Sequence, residues 1–405
     1  MHSLSTALLV KIRRGGYKAI PEVYQRQASF MKIYKEQNVY DAALERIRWI
    51  FDEFPNVVAS VSGGKDSAVI FHLCLQVARE KNRLPLKVFW LDQEAEWQAT
   101  VDIVTEWMRH PDVDPLWMQF PFRLFNATSV SEHWLDCWAE DKKDIWVHPQ
   151  VEISKKENKY GTDRFHELFE AISVKEFGDI KSCFVAGVRS EESPTRYMSL
   201  TYRPKYKHIT WAKILDKKRQ HFTMYPLYDW SYTDIWKAIF TNGWAYNSVY
   251  DAQYRYGLPI KSMRVSNVHH ETSVESLFYM QEIEPETYEK VVQRISGIDM
   301  AGKMGYKDYY VSDLPPMFVS WREYRDYLLA NLISKPEWRD NFALWFKRFD
   351  DALGPNNIPV VLWHGMINAI LCNDWEGVKL GNRWRDPNVY DARKKYAVEK
   401  LNAIE

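Results

Sequence analysis

Cysteine is scarce in this sequence: four residues in 405, at Cys74, Cys137, Cys183 and Cys372. None forms a CxxC pair and no two are close, which argues against a zinc ribbon or a Cys-rich cluster motif. Nor do four make a disulfide framework in a chain this long, so a reducing, cytoplasmic setting is expected. Net charge is missing as well. Lys plus Arg (54) balances Asp plus Glu (54), which excludes a wholly basic nucleic-acid sleeve and leaves only local patches open. No apolar run reaches the length of a membrane span, and Met1-His2-Ser3-Leu4 opens no signal-peptide layout, so no membrane role is expected. Internal repeats and low-complexity tracts are absent.

Aromatic residues are abundant, at 15% with 18 Trp. A large aromatic core is the plain reading; surfaces that stack on bases or partners are the sharper one. The length suggests two or three domains. Residues 38–53 carry apolar positions at helical spacing, and Asn56-Val57-Val58-Ala59-Ser60-Val61 is a short β-branched run, a buried strand. A helix follows over 67–79, then a strand over 86–91 ending at Asp92, a helix over 97–109 and a strand candidate over 115–120. Residues 121–170 read only as partly helical cover. Ser182-Cys183-Phe184-Val185-Ala186 is another buried strand, running into Gly187. Alternating strands and helices predict an α/β fold with a doubly wound parallel sheet, whose ligands sit at strand carboxyl ends. Ser231 to Asp234 reads as a capping box. After about residue 270, amphipathic stretches over 274–296, 321–334 and 337–352 predict a mainly helical C-terminal domain. The expected division is an extension over 1–37, a nucleotide-binding domain over 38–265 and a helical domain over 266–405.

The strand-to-helix loop Ser62-Gly63-Gly64-Lys65-Asp66-Ser67 carries the clearest chemistry. Paired glycines let backbone amides approach phosphate oxygens, and the following helix points its positive end at the same anion. Ser62 and Ser67 add hydroxyls, Lys65 adds a mobile charge, and Asp66 serves as a cap or helps place a metal ion. It is not a Walker A loop.

This hexapeptide resembles the PP-loop of the ATP pyrophosphatase superfamily (adenine nucleotide alpha hydrolase-like), and more narrowly the phosphoadenylyl-sulfate (PAPS) reductase-like branch. Four further segments are similar to that branch, in the same order: Leu91 to Trp97 with Thr100; Gly187-Val188-Arg189-Ser190-Glu191-Glu192-Ser193 with Arg196; Pro226 to Trp230 with Asp234-Ile235-Trp236; and Asn247 to Asp251 with Gly257-Leu258. The resemblance implies ATP or a PAPS-type nucleotide held by Ser62, Gly63, Gly64, Lys65, Asp66, Ser67, Asp92, Gly187, Arg189 and Arg196. Lys65 and Arg189 would be catalytic, Mg²⁺ would accompany the nucleotide, and no protein metal site or iron–sulfur cluster is expected. The same resemblance adds Arg264 to the site. The C-terminal part resembles the extension of a group that includes immunoglobulin-binding regulator A, often accompanied by a ParB/sulfiredoxin-like partner. One departure stands out: the C-terminal Glu-Cys-Gly-type nucleophile of true reductases is missing, and Cys372 is the only late cysteine.

From Arg196 to His221 eight Lys and Arg face only Asp216, with Tyr197, Tyr202, Tyr206 and Trp211 interleaved. A clamp for phosphate, sulfate or nucleic acid and a solvated loop over the site both fit. His269-His270-Glu271 reads as a polar domain junction, since adjacent histidines point apart. Arg383, Arg385 and Arg393 read as surface charge. Three functions compete: ATP-dependent adenylyl transfer to an unknown acceptor, a transferase reaction; PAPS or adenylyl-sulfate reduction; and nucleotide sensing in regulation or defence through a partner.

Overall fold

Side chains alternate across a β-strand, so a strand covered on both faces must be apolar at every position. The run Asn56–Ser60 (β1) does this: Val57 and Ala59 enter one core, while Val58 enters another. In Leu86–Leu91 (β2), Leu86, Val88 and Trp90 join the first core and Phe89 and Leu91 the second. The computed structural model describes residues 36–129, 132–269, 276–299, 311, 313–333, 335–354, 357–375 and 377–402. The expected extension over 1–37 thus falls almost wholly outside the described residues, as do His270 and Glu271.

Helix α1 (Val39–Glu53) precedes β1, and α2 (Lys65–Glu80) follows the Gly-Gly loop. After β2 come α3 (Gln98–Met108) and β3 (Val113–Met118). Later strands are β4 (Phe122–Phe125), β5 (Trp134–Cys137), β6 (Ser182–Val185), β7 (Ala212–Asp216) and β8 (His221–Met224). The six-stranded sheet runs β3-β2-β1-β6-β8-β7. All neighbours pair in parallel except β7, which is antiparallel to β8 at the edge. The chain moves outward from β1 to β3, then returns to the other side of β1 at β6. The switch point therefore lies between the carboxyl ends of β1 and β6, where open parallel sheets bind ligands.

Residues 121–170 are not merely cover. They hold the antiparallel hairpin β4–β5 and then α4 (Phe165–Phe177). The hairpin escaped notice because its strands have only four residues each and Trp-rich runs show no clear period.

The basic stretch is likewise divided. Helix α5 (Pro194–Thr201) starts it and the β7–β8 hairpin ends it. Because β7 runs antiparallel, the turn holding Lys217, Lys218 and Arg219 sits at the amino edge of the sheet. Arg219 pairs there with Asp216 and Asp179. Lys207 and Tyr206 bind Glu53, just before β1, and Lys181 joins them just before β6. These donors hold the Glu53 carboxyl down at about 2.

Helix α6 (Tyr232–Asn242) opens with the expected capping box, Ser231 and Asp234 bonding each other's backbone. Helix α7 (Val249–Tyr256) follows. From Val39 onward the chain groups as one compact unit, and the later helices divide between two cores. Helices α8 (Leu277–Ile283) and α9 (Pro285–Arg294) pack into the second sheet core. Helices α10 (Trp321–Asn331), α11 (Pro336–Leu353), α12 (Val360–Leu371), α13 (Val378–Trp384) and α14 (Pro387–Asn402) follow. They build a third core running from Tyr324 to Val389. Trp375 and Asn373 reach from it to the carbonyls of Asn126 and Ala127, beyond β4.

Candidate functional site

The loop after β1 turns sharply. Gly63 has φ +68° and no room for a Cβ, which would lie 2.5 Å from Thr100 Cγ2. Gly64 is the N-cap of α2, in extended conformation without a side-chain cap. The α2 amides are thus left to other acceptors. Ser67 holds the turn internally, its hydroxyl donating to Gly64 O at 2.8 Å and accepting from Ser62 N at 3.2 Å. Ser67 is buried and spent on the loop, whereas Ser62 is exposed.

Across the switch point, Gly187 lies against the Asp66 backbone, where a Cβ would meet the carbonyl oxygen at 2.6 Å. This approach brings Arg189 to the loop. Its Nε donates to the Asp66 carboxylate, whose other oxygen lies 3.1 Å from Lys65 Nζ. Arg189 is buried, with Glu191 3.8 Å away and its own amide donating to Glu192. Arg196 pairs with Glu192 and lies within electrostatic reach of Asp66, Arg189 and Arg264. The sequence-derived residues Lys65, Asp66, Gly187, Arg189 and Arg196 are therefore brought together, 124 positions separating Lys65 from Arg189.

Two contributors carried no assigned role in the sequence, although they fall within a quoted motif. Tyr250 is buried, and its hydroxyl accepts from Lys65 N–H at 3.1 Å; burial pushes its pKa up. Asn247 donates to Gly63 O at 3.1 Å and to Thr100 Oγ1 at 2.8 Å. Nothing in the spacing shows that 247–250 returns to the loop, because a tertiary approach leaves no periodic trace.

Asp92 stands apart from this set. Fully buried, its carboxylate accepts from Glu94 N at 3.0 Å, Trp117 Nε1 at 2.9 Å and Gln119 Nε2 at 2.9 Å, with His148 Nε2 3.2 Å away. Beside it Glu94 takes two bonds from Arg294, and burial together with the Asp92 charge pushes the Glu96 carboxyl up to about 8. Burial lowers the His148 pKa, but the Asp92 and Glu96 charges outweigh it and leave it raised. Asp229 of the Pro226 to Trp230 segment is also spent elsewhere, on a two-point pair with Arg46.

All four cysteines are buried. Burial raises the thiol pKa of Cys74, Cys137 and Cys183. Among the described residues no cluster of three or more His, Cys, Asp or Glu is placed to hold a metal, and no helix is long and apolar enough to cross a membrane.

A glycine-turned loop feeding a helix N-terminus at a parallel-sheet switch point is the arrangement of a nucleotide-binding α/β domain. Residues 56–256 match the model of the phosphoadenosine phosphosulfate reductase domain. Residues 257–350 match a domain of unknown function, DUF3440. The uncharacterized protein YbdN of Escherichia coli is 26% identical over 379 residues, 85% of this chain and 91% of its own. An adenosine 5'-phosphosulfate reductase of Lysinibacillus sphaericus is 21% identical over 225 residues, 55% of this chain and 79% of its own. Among solved structures, a phosphoadenylyl-sulfate reductase from Candida auris in a phosphate complex matches at 13% identity with TM-score 0.30, covering 59% of this chain and 98% of its own.

Proposed function

We propose that this protein binds ATP at the Ser62–Ser67 loop and transfers the adenylyl group to an acceptor, releasing pyrophosphate. The carrying observation is the convergence of Lys65 and Arg189 on one carboxylate, Asp66, at the mouth of the loop. Two cations already sharing an anion are placed to share a phosphate, which takes the place of Asp66. Lys65 and Arg189 then stabilise charge gained by the pyrophosphate as an acceptor atom attacks the α phosphorus and the bond to the bridging oxygen breaks. The loop amides, at the positive end of α2, act on the same charge. Asp66, once displaced from the two cations, would help hold Mg²⁺, which would neutralise phosphate charge, as carboxylates do in Mg²⁺–nucleotide sites.

Reduction of adenylyl sulfate is the competing reading, favoured by the family match and by the names of relatives. It needs a thiolate at the surface of the site, and four buried cysteines count against it. The proposal includes a cytoplasmic setting and a ParB/sulfiredoxin-like partner.

Incubation with α-labelled ATP and Mg²⁺ tests the reading. Labelled AMP or an adenylated acceptor, with pyrophosphate, is expected. Sulfite released from adenylyl sulfate by a thiol donor, with ATP untouched, overturns it. Gly64→Val probes the cradle: a Cβ there meets Tyr250 Oη at 3.4 Å and Val265 Cγ2 at 3.5 Å, ordinary contacts. The fold should survive while the rise in melting temperature produced by ATP disappears; an unchanged rise would sink the assignment.

A further inference from the structure

Helix α7 holds the loop with its first turn, through Tyr250 and Lys65 N–H. Its last turn and the segment after it are open to solvent: Tyr254 is 63% exposed, Tyr256 42% and Ile260 42%. Residues 252–266 carry Arg255, Lys261 and Arg264 and no carboxylate. The segment is folded back onto the helix, because Gln253 donates to Arg264 O at 2.7 Å and accepts from Arg264 N at 3.1 Å. Arg264 is thereby brought within reach of Arg196 at the site. Lys261 stands over the Tyr232 ring, 5.5 Å from its centroid. The result is a ledge beside the nucleotide loop that offers the exposed ring of Tyr254 and cations together, while Tyr256 packs on the Tyr279 ring at 5.8 Å between centroids. The carboxylate nearest in sequence, Asp251, is taken by the Tyr246 hydroxyl at 2.8 Å.

We propose that this ledge binds the acceptor, and that the acceptor is a single-stranded nucleic acid. The inference rests on the nucleotide reading above only for the word acceptor; the binding surface stands by itself. Exposed tyrosines stack on unpaired bases of any sequence, and flanking cations follow the phosphates. An acidic peptide would satisfy the cations but leave Tyr254 without a flat partner. A duplex keeps its bases stacked inside. The other basic group, Lys217 to Arg219, lies at the opposite edge of the sheet and serves as an internal control.

The test is fluorescence anisotropy of the full chain with fluorescein-labelled 20-nucleotide single strands, as RNA and as DNA, and with a duplex. Micromolar or tighter binding to a single strand is expected, the two arms telling which sugar is preferred. Affinity should fall with salt at a slope of about −0.7 per phosphate contacted, so roughly −1.4 for Arg255 and Lys261. Tyr254→Ala should weaken binding roughly tenfold, the usual size of a lost base–aromatic stack. Arg255→Glu with Lys261→Glu should weaken it further and flatten the salt slope. Lys217→Glu with Lys218→Glu makes the same change in net charge and should leave binding unaltered. No single-strand binding, tighter binding to the duplex, or equal losses from both charge reversals would overturn the proposal. Each variant is also scored for its ATP-induced melting shift. A retained shift with lost strand binding shows a folded, nucleotide-competent protein and locates the loss on the ledge. If wild type lacks the shift yet binds strands through the ledge, the adenylyl-transfer reading fails while the ledge stands.

Discussion

The carboxyl ends of β1 and β2 are neighbours in one parallel sheet, and both carry acids and bases, yet they treat charge in opposite ways. At β1 the charges gather at a mouth: Asp66 bridges Lys65 and Arg189, and Ser62 and Arg196 stay exposed. At β2 they are sealed in: Asp92 and Glu94 are fully buried and Glu96 nearly so, with Arg294 and His148 closing over them. An open cluster can trade its internal anion for a ligand's. The closed one already spends the Asp92 and Glu94 carboxylates on internal donors.

That contrast breaks most visibly at Arg294. Arg294→Met leaves Glu94 buried without its two-point partner, and removing one member of such a pair costs about 3–5 kcal/mol. Urea denaturation should show the loss, while nucleotide affinity measured on folded protein stays unchanged.

Glu96 sharpens it through pH. With a folded pKa of about 8 against 4.5 in the unfolded chain, Glu96 keeps its proton when folded after the unfolded chain has lost it. Stability therefore falls as pH rises from about 4.5 to about 8. His148 acts in the same direction: its pKa is raised in the folded state, so its contribution is complete below 6.5 and is lost as pH rises through the folded value. Glu96→Gln should flatten the decline, a relative gain at pH 8 on the order of a few kcal/mol, read from melting temperatures at pH 5 and pH 8.

At the open end Arg189→Lys keeps charge but loses the flat, two-donor geometry that suits phosphate. Nucleotide affinity should drop by about 1.5–3 kcal/mol, roughly one to two factors of ten, by calorimetric titration. Equal binding by variant and wild type would remove Arg189 from the site. The smallest effect is expected at Cys372, which is buried at the end of α12. Cys372→Ser should leave nucleotide turnover within about twofold in the labelled-ATP assay, since a few tenths of a kcal/mol is less than a factor of two. Loss of turnover in a folded variant would revive the thiol-dependent reading.

The open end was far more legible in the sequence than the closed one. Local rules write the loop: a β-branched strand, two glycines, then a helix, all within consecutive residues. Gly187 and Arg189 were readable because they follow another such strand, and parallel-sheet topology carries both strand ends to one edge. Asp92 also follows a strand, and there the same logic reaches less far. Position at a strand end does not say whether neighbours will cover it, and here Trp117, Gln119 and His148 arrive from β3 and beyond. The basic stretch stayed open between a clamp and a solvated loop for a related reason. Its eight cations look continuous along the chain, but one reversal of direction between β7 and β8 sends Lys217 to Arg219 away from Arg196.

The third core has a practical consequence for anyone cutting this chain. The DUF3440 match ends at residue 350, three residues inside the end of α11 and well short of Val389, the last residue of that core. A fragment expressed to that boundary would keep Phe342, Phe346 and Trp338 while discarding Leu362, Met366 and Trp375, which cover them. Such a fragment should aggregate, since an apolar face stripped of its covering helices is left to find another copy of itself. The unit that folds is longer than the unit that sequence comparison delimits.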